Sequence, residues 1–332
     1  MKKILIIRFS SFGDIVQALS VTKHIKEMYP NAVLDWLTKT EFGDLPAHSP
    51  YVDNIITLNK KNGLFGLLKL SFELRSNSYD LIYDAHSNLR SFIIKIIVKT
   101  FNPKSSVITR SKERWKRVLL FNFKKNKFPR PYRGMISYCE PLELNSASDL
   151  IQDWNFNDKT IKNVQEKTYL NNDDYIVMAP SAAWEMKRWP VDHWKKLANE
   201  LGDFPIYFVG GPQDNFIEEI IDKNNKNIIN VAGKLNLIES SYLVSKAKLV
   251  VSADTGIIHV ADLLGVNGLS LIGPTAFGFS TNKNIRTLEF DLPCRPCSKD
   301  GRGKCERDIY QECMVNISVE KVKVQAINIL RS

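Results

Sequence analysis

The chain holds 332 residues, 44% hydrophobic and 25% charged, with no low-complexity tract and no internal repeat; that excludes fibrous and disordered classes and leaves room for two α/β domains with sizeable cores. Its N-terminal apolar run, residues 4–7, is far shorter than a signal-peptide core or a membrane span, and no other segment qualifies, so the protein is expected to stay in the cytoplasm. The net charge of +10 points to an anionic partner, and the five cysteines, four of them clustered late, do not make a secreted disulfide framework in a chain of this size.

Residues 3–8, KILIIR, lack alternation and read as a first strand buried on both faces. A tight turn, Ser10-Ser11-Phe12-Gly13-Asp14, leads into a helix reaching about Tyr29, with Ile15, Leu19, Ile25 and Met28 as core positions and Pro30 as the stop. Strands are expected at 33–37 and 54–58, a helix at 64–74, a short strand at 81–83 ending in Asp84-Ala85-His86, and a helix at 89–98. Strands alternating with helices imply a doubly wound parallel sheet. Residues 104–133 then carry eleven Lys and Arg against Glu113 alone, with Trp115, Phe121, Phe123, Phe128 and Tyr132 between them. Such a patch suits an anionic membrane surface, an anionic acceptor or nucleic acid. No nucleic-acid motif accompanies it, so nucleic acid is not an expected partner.

Residues 146–168 are polar and rich in Asn and Asp; the domain boundary is placed there, giving an N-terminal domain of residues 1–160 and a C-terminal domain of residues 161–332. A second alternating series follows: a strand at 175–178, a loop at 179–190, a helix at 191–201, and a strand at 206–209 running into Gly210-Gly211-Pro212-Gln213-Asp214. Residues 228–231 read as extended and 238–246 as helical. A buried strand at 249–251 stops at Ser252-Ala253-Asp254-Thr255-Gly256; a short helix follows, and a strand at 269–272 ends in Gly273-Pro274. The last periodic segment, 319–330, is an amphipathic helix expected to pack back on the N-terminal domain. Two Rossmann-like domains in tandem, facing across a cleft, form the GT-B architecture of nucleotide-sugar glycosyltransferases, and that is the expected α/β fold.

The stretch 249–274 concentrates Asp, Thr and His at the carboxyl end of a strand, where open parallel sheets bind ligands beside helix N-termini. Asp254 or Thr255 as a mere helix cap is the simpler alternative. His259, one turn beyond Thr255 on the face returning toward the strand end, argues against it. Asp-Thr-Gly also occurs in aspartic proteases, but those need a second aspartate in an all-β setting, and one such triplet before a helix does not provide it.

In order and spacing, IRFSSFGDIVQAL, YDLIYDAHSNLRS, MAPSAAWEMKRWPVDHW, FVGGPQD, VAGKLNLIE, SADTGIIHVADLLG with LIGPT, and CRPCSKDGRGKCERDIYQECM resemble the bacterial ADP-heptose:lipopolysaccharide heptosyltransferases, glycosyltransferase family 9, over essentially the whole chain. The resemblance implies a GT-B fold and an inverting mechanism that requires no metal or other cofactor. It implies transfer of heptose from ADP-L-glycero-D-manno-heptose to the inner core of lipopolysaccharide, with the enzyme peripheral on the cytoplasmic face of the inner membrane. It puts Asp14 in the catalytic-base position and Lys187 near the donor diphosphate, with Ser181 beside it. Asp254, Thr255, Gly256 and His259 fall at the pyrophosphate and sugar end of the donor site, Asp214 near the ribose, and Lys234 and Leu235 near the adenine. Ser10, Ser11, Gly13, His86 and Arg114 are the acceptor-binding candidates, with His86 the second candidate for the base. Two departures stand out: Ala182-Ala183 replace hydroxyl residues of several relatives, and Ser20 follows Leu19 where many have Pro.

The chemistry is coherent without the family. Breaking a sugar–phosphate bond develops negative charge on the departing diphosphate, which a lysine, backbone N–H groups and a helix N-terminus can stabilise. The attacking hydroxyl must lose a proton, which calls for a carboxylate or histidine. Asp14 could equally serve as a helix cap; its place in the domain that lacks the donor motifs favours catalysis. Cys294, Cys297, Cys305 and Cys313, spaced C-x2-C-x7-C-x7-C, could build a structural zinc site, whereas Cys139 reads as core. Rival readings are a related transferase using another nucleotide sugar or building another surface glycan, and a binding protein that holds a nucleotide or glycolipid without turnover.

Overall fold

The structure is a computed structural model, and it describes residues 1–144, 150–170 and 174–331. The opening of the expected boundary stretch, residues 146–149, lies outside the described residues. The chain divides into two compact units, Met1–Arg114 with Met135–Asn155, and Trp115–Gly134 with Phe156–Ser332. This division differs from a single cut after residue 160, because residues 115–134 group with the second unit.

In the first unit the chain runs β1 (Lys3–Ile7), α1 (Phe12–Met28), β2 (Val33–Lys39), α2 (Asp44–Ala47), β3 (Asn54–Leu58), α3 (Gly63–Leu74), β4 (Leu81–Asp84), α4 (Leu89–Phe101) and β5 (Ser106–Thr109). The chain then forms α5 (Arg114–Phe123), which groups with the second unit from Trp115 on, and returns to the first unit in α6 (Gly134–Cys139). All pairs in the sheet β3-β2-β1-β4-β5 are parallel. From Ile4 to Ile7, β1 is fully enclosed, as its unbroken apolar run requires. One face of the sheet is covered by α3 and α4, whose Leu67, Leu74, Ile94 and Val98 join Leu5, Ile7 and Leu37 in one core.

The second unit continues α7 (Asp158–Thr168), β6 (Ile176–Ala179), α8 (Val191–Glu200), β7 (Ile206–Phe208), β8 (Ile228–Asn230), α9 (Leu237–Ser245), β9 (Leu249–Ala253), α10 (Gly256–Leu263), β10 (Gly268–Ile272), β11 (Ile285–Glu289), α11 (Glu312–Val315) and α12 (Val319–Leu330). Its sheet, β11-β10-β9-β6-β7-β8, is again parallel throughout. Each sheet winds outward in two directions from its middle. The order reverses between β1 and β4 in the first unit and between β6 and β9 in the second. Parallel sheets open a crevice at such switch points, outside the strands' carboxyl ends.

Packing adds three points that the residue pattern leaves open. The terminal helix, α12, buries Val319, Val322, Ala326, Ile329 and Leu330 in the second unit's own core beside α8. Residues 158–168, within the polar stretch assigned to the domain boundary, form α7, capped by the Asn157 side chain. Its attachment is polar: Lys167 and Asn163 bind the buried carboxylate of Glu239 on α9, so apolar periodicity is weak there. The basic segment is not one uniform face. Phe128 and Tyr132 set their rings edge-on to Phe277 at 5.1 and 4.9 Å, Phe121 does so at 6.1 Å, and the Arg117 guanidinium stands 4.5 Å from the same ring. Most of the aromatic residues interleaved with the charges therefore build a cluster around one phenylalanine.

Candidate functional site

The turn after β1 delivers Asp14 to the first unit's switch point. Ser11 is the residue preceding α1, and Asp14, at the third position of the helix, accepts the Ser11 N–H at 3.3 Å and its hydroxyl at 2.8 Å. The helix-cap reading thus holds in part, since this is the carboxylate half of a capping box. Three further groups converge on the same carboxylate. Arg8, itself buried, pairs with it at 2.7 Å; Tyr138 of α6 donates to its other oxygen at 3.2 Å; Arg110 lies behind, 4.0 Å from the Tyr138 ring centroid. Dense surroundings push the Asp14 pKa up, but Arg8, the Ser11 hydrogen bonds and Arg110 outweigh them and hold it at about 2. The side chain keeps 43% of its surface open, so the ionised carboxylate is both fixed and accessible.

On the other side of that switch point, β4 ends at Asp84. Its buried carboxylate accepts the N–H groups of His86 and Ser87 and the Ser91 hydroxyl, and pairs with Lys95 at 2.7 Å. This shapes the turn that presents His86, whose ring stands edge-on to Phe9 at 5.2 Å. Burial lowers the imidazole pKa, with Arg8 and Lys112 adding to it, to about 4; His86 is neutral at pH 7. Beside Phe9, between the starts of α3 and α4, lies a groove of about 280 Å³ floored by Phe9, Leu58, Leu67 and Ile93, with Lys39, Lys60 and Arg90 among its lining. Ser10 and Gly13 are half-buried in the Asp14 turn. Arg114 is exposed at the first position of α5, and no contact among the described residues joins it to Asp14.

In the second unit the loops after β6 and β9 flank the switch point and meet there. Lys187 reaches Asp254 at 2.9 Å, and both side chains are largely enclosed, 14% and 10% exposed. Thr275, from the loop after β10, donates to Asp254 at 2.8 Å, and His259 Nε2 lies 3.7 Å from its other oxygen. Burial would raise the Asp254 pKa; Lys187 foremost, with His259 and Thr275, more than offsets it, and the carboxyl stays below its ordinary range. Neither Asp254 nor Thr255 caps α10 by a side-chain hydrogen bond: Thr255 shares a hydrogen bond with Ser252 at 3.2 Å. The first N–H groups of α10, beginning at Gly256, therefore remain for another acceptor. Two glycines make the enclosure feasible. A Cβ on Gly278 would fall 2.1 to 2.4 Å from the Asp254 carboxylate, and one on Gly301, at φ +93°, would meet the Lys187 stem at 2.7 Å.

The remaining donor candidates extend this line across the sheet. Arg188, next to Lys187, approaches Asp214 of the loop after β7 at 3.9 Å, while Asp214 accepts the Gly211 N–H at 2.6 Å. Gly233 donates to the Gly210 carbonyl at 3.0 Å, joining the Asp214 loop to the one that carries Lys234 and Leu235. Leu235 is buried; Lys234 is exposed and donates to the Asn230 carbonyl at 2.9 Å. Ser181 sits half-buried at the head of the Lys187 loop. Lys187, Asp254 and His259 thus share one contact set, Asp214 and Lys234 occupy adjoining loops, and Arg114 stands apart from the Asp14 cluster.

Sequence reasoning missed Arg8, Tyr138, Arg110 and Thr275. Arg8 ends an otherwise apolar strand immediately before the turn, and that placement could have flagged it; Tyr138 and Arg110 arrive only through tertiary packing. The four late cysteines lie near enough that Cys294 and Cys305 help burial raise the Cys297 and Cys313 thiol pKa values. Cys294, Cys297, Cys305 and Cys313 are free thiols, and among the described residues no three His, Cys, Asp or Glu side chains gather so as to hold a metal ion. Cys313 instead packs on the backbone at Gly273, and Cys305 directs its thiol to the Ile309 carbonyl at 4.0 Å. Also among the described residues, no helix is long and apolar enough to cross a membrane.

Comparison with known proteins identifies the family of the chain. The chain is 26% identical to a lipopolysaccharide core heptosyltransferase of Haemophilus influenzae over 81% of its own length and 78% of the relative's. It is 26% identical to a lipooligosaccharide heptosyltransferase 2 of Haemophilus ducreyi over 98% of both chains. The solved Escherichia coli ADP-heptose lipopolysaccharide heptosyltransferase II superposes with a TM-score of 0.74 at 20% identity, covering 100% of this chain and 99% of that one, so the two share the GT-B fold. The family model for glycosyltransferase family 9 (heptosyltransferase) matches residues 67–305, well over half of the chain. The protein is therefore a glycosyltransferase, a member of family 9, the heptosyltransferase family.

Proposed function

We propose that the protein transfers heptose from ADP-L-glycero-D-manno-heptose to the inner core of lipopolysaccharide, with inversion at the anomeric carbon and without a required metal ion. The relatives' names specify lipopolysaccharide or lipooligosaccharide as acceptor, and the solved one specifies ADP-heptose. The observation that carries the reading is the Lys187–Asp254 pair at the second unit's switch point, beside the uncapped start of α10. In this reading the diphosphate lies against Lys187 and the N–H groups from Gly256 onward, which stabilise the charge that develops as the sugar leaves. Asp254 holds the ammonium in position, Thr255, His259 and Ser181 border the phosphates and sugar, and Asp214 with the Lys234–Leu235 loop takes the nucleoside.

Asp14 accepts the acceptor's hydroxyl proton. A carboxylate held near a pKa of 2 is a weak base toward an ordinary alcohol. The attacking oxygen, however, becomes strongly acidic once it bonds to a sugar carbon of oxocarbenium character, and the proton then passes readily to Asp14. Neutral His86, with Ser10, Ser11 and Gly13, orients the acceptor, Arg114 at the start of α5 meets its more distant part, and the groove bearing Lys39, Lys60 and Arg90 suits its anionic sugars or phosphates. An acceptor anchored in lipid A places the enzyme on the cytoplasmic face of the inner membrane.

The test is to incubate purified protein with ADP-heptose and a lipopolysaccharide core lacking heptose, and to weigh the products by mass spectrometry. One added heptose together with free ADP is the expected result. Transfer only from a different nucleotide sugar would replace the donor assignment, and ADP binding without any transfer would make the chain a binding protein.

A further inference from the structure

The outward sides of α3 and α4 break the usual rule for surface helices. Each helix buries one stripe in the core, and its opposite side should be polar. Here that side carries Phe65 and Phe72 on α3 and Leu89, Phe92 and Ile96 on α4, with Phe65 79%, Leu89 73% and Phe92 53% exposed. The spacing i, i+7 on α3 and i, i+3, i+7 on α4 sets these residues in two adjacent outward stripes, and the helices pack directly together. At their far ends Phe72 and Phe101 meet edge-on at 6.1 Å, with the Arg75 guanidinium 4.6 Å from the Phe101 ring centroid. The rim is cationic: Lys60, Lys61, Lys69, Arg75 and Arg90 are exposed around the apolar stripes, against Glu73, which lies 4.0 Å from Lys69.

We infer that the α3–α4 face seats the protein on an anionic lipid bilayer, its phenylalanines and leucines entering the headgroup boundary and its lysines and arginines meeting lipid phosphates. Apolar side chains ringed by basic ones are the pattern that lies in a membrane interface, and the near absence of acidic residues favours anionic lipid over a second copy of this basic chain. The assignment differs from the basic segment at residues 104–133, where Phe121, Phe128 and Tyr132 are engaged around Phe277 and only Trp115 and Phe123 stand exposed among the aromatic side chains. It also deepens the reading of a lipid-anchored acceptor. Leu89 belongs both to this face and to the lining of the Lys39–Lys60–Arg90 groove, which exposed Leu64 also lines, so the groove opens where the lipid surface would be.

The experiment measures partition of the full chain onto vesicles of phosphatidylethanolamine with and without phosphatidylglycerol, at low and high salt, for the wild type and for Phe65→Ser/Phe92→Ser. Both positions lie outside the groove lining, so the double variant should keep its circular dichroism spectrum and its transfer to a soluble core oligosaccharide. Its partition onto phosphatidylglycerol vesicles should fall about tenfold or more, the scale set by removing two phenylalanines from an apolar contact. Wild-type binding should weaken with salt and vanish without the anionic lipid. Equal partition of variant and wild type overturns the inference, as does wild type that ignores phosphatidylglycerol. A dimer in sedimentation velocity that the double variant dissolves would assign the face to a second copy. Vesicle binding requires neither donor nor acceptor, so it stands or fails separately from the transferase reading.

Discussion

Each unit of this protein sets an aspartate against a cation at the switch point of its sheet, yet the two pairs are built for opposite ends. Asp14 meets Arg8 at 2.7 Å and Asp254 meets Lys187 at 2.9 Å, and in both cases the cation overcomes burial and keeps the carboxylate ionised. The difference lies in access. Asp14 leaves 43% of its side chain open, whereas Asp254 leaves 10% and is pressed by Thr275 and the backbone at Gly278. A carboxylate that solvent reaches can take a proton from a substrate; one that is enclosed can only fix the group beside it. Residue type and charge partner are the same kind in both places, and the loops packed over them decide what each can do.

Substitution at Asp14 offers the largest test of that contrast. Asp14→Asn retains the hydrogen bonding to Ser11 and should fold and bind ADP normally while losing transfer by roughly 10²–10⁴-fold, the range for positioned proton transfer. Near-normal kcat in the purified variant would leave Asp14 as a capping residue and move the search to His86.

Lys187→Ala should act on binding instead. Loss of a charge-assisted contact to the diphosphate should raise the ADP dissociation constant roughly ten- to a hundredfold in calorimetry without magnesium. It should also lower the melting temperature, because a buried carboxylate loses its partner. Gly278→Ala, which only crowds the Asp254 carboxylate, should produce a smaller rise in the same constant. Unchanged ADP affinity in Lys187→Ala would take the lysine out of the donor site and make the pair purely structural.

The smallest effect concerns pH. With Asp14 at about 2 and His86 at about 4, neither should produce a step in kcat/KM between pH 5 and 8. The signs for stability follow from linkage. The depressed Asp14 pKa contributes stability above the unfolded value near 3.9, lost as pH falls toward 2. His86 is kept neutral in the fold, so the unfolded chain takes up its proton first and stability declines as pH falls from about 6.5 to about 4. An acid limb near pH 6.5 that disappears in His86→Gln would show that the imidazole is charged in the free enzyme.

Much of the architecture was already written in the residue pattern. Unbroken apolar runs such as KILII and LVV can exist only as strands buried on both faces, and their alternation with amphipathic helices forces parallel sheets. The turns holding Asp14, Lys187, Asp214 and Asp254 follow from that pattern, because in such sheets the loops after the strands gather at one edge. Elements held by polar contacts were not legible. The edge strand β5 is mostly exposed, and α7 is fastened through Glu239, so neither needed an apolar period. The destination of α12 and the ring of aromatics around Phe277 were also decided only by packing, since an apolar stripe specifies that it will be buried and leaves open against what. For the site, residue order was enough to put Asp14, Asp84, Asp214 and Asp254 at the strand ends. Only the packing of the fold settled that Arg8 and Tyr138 fix Asp14 and that Lys187 is engaged by Asp254, because exposure and pairing depend on loops distant in the chain converging on the same carboxylate.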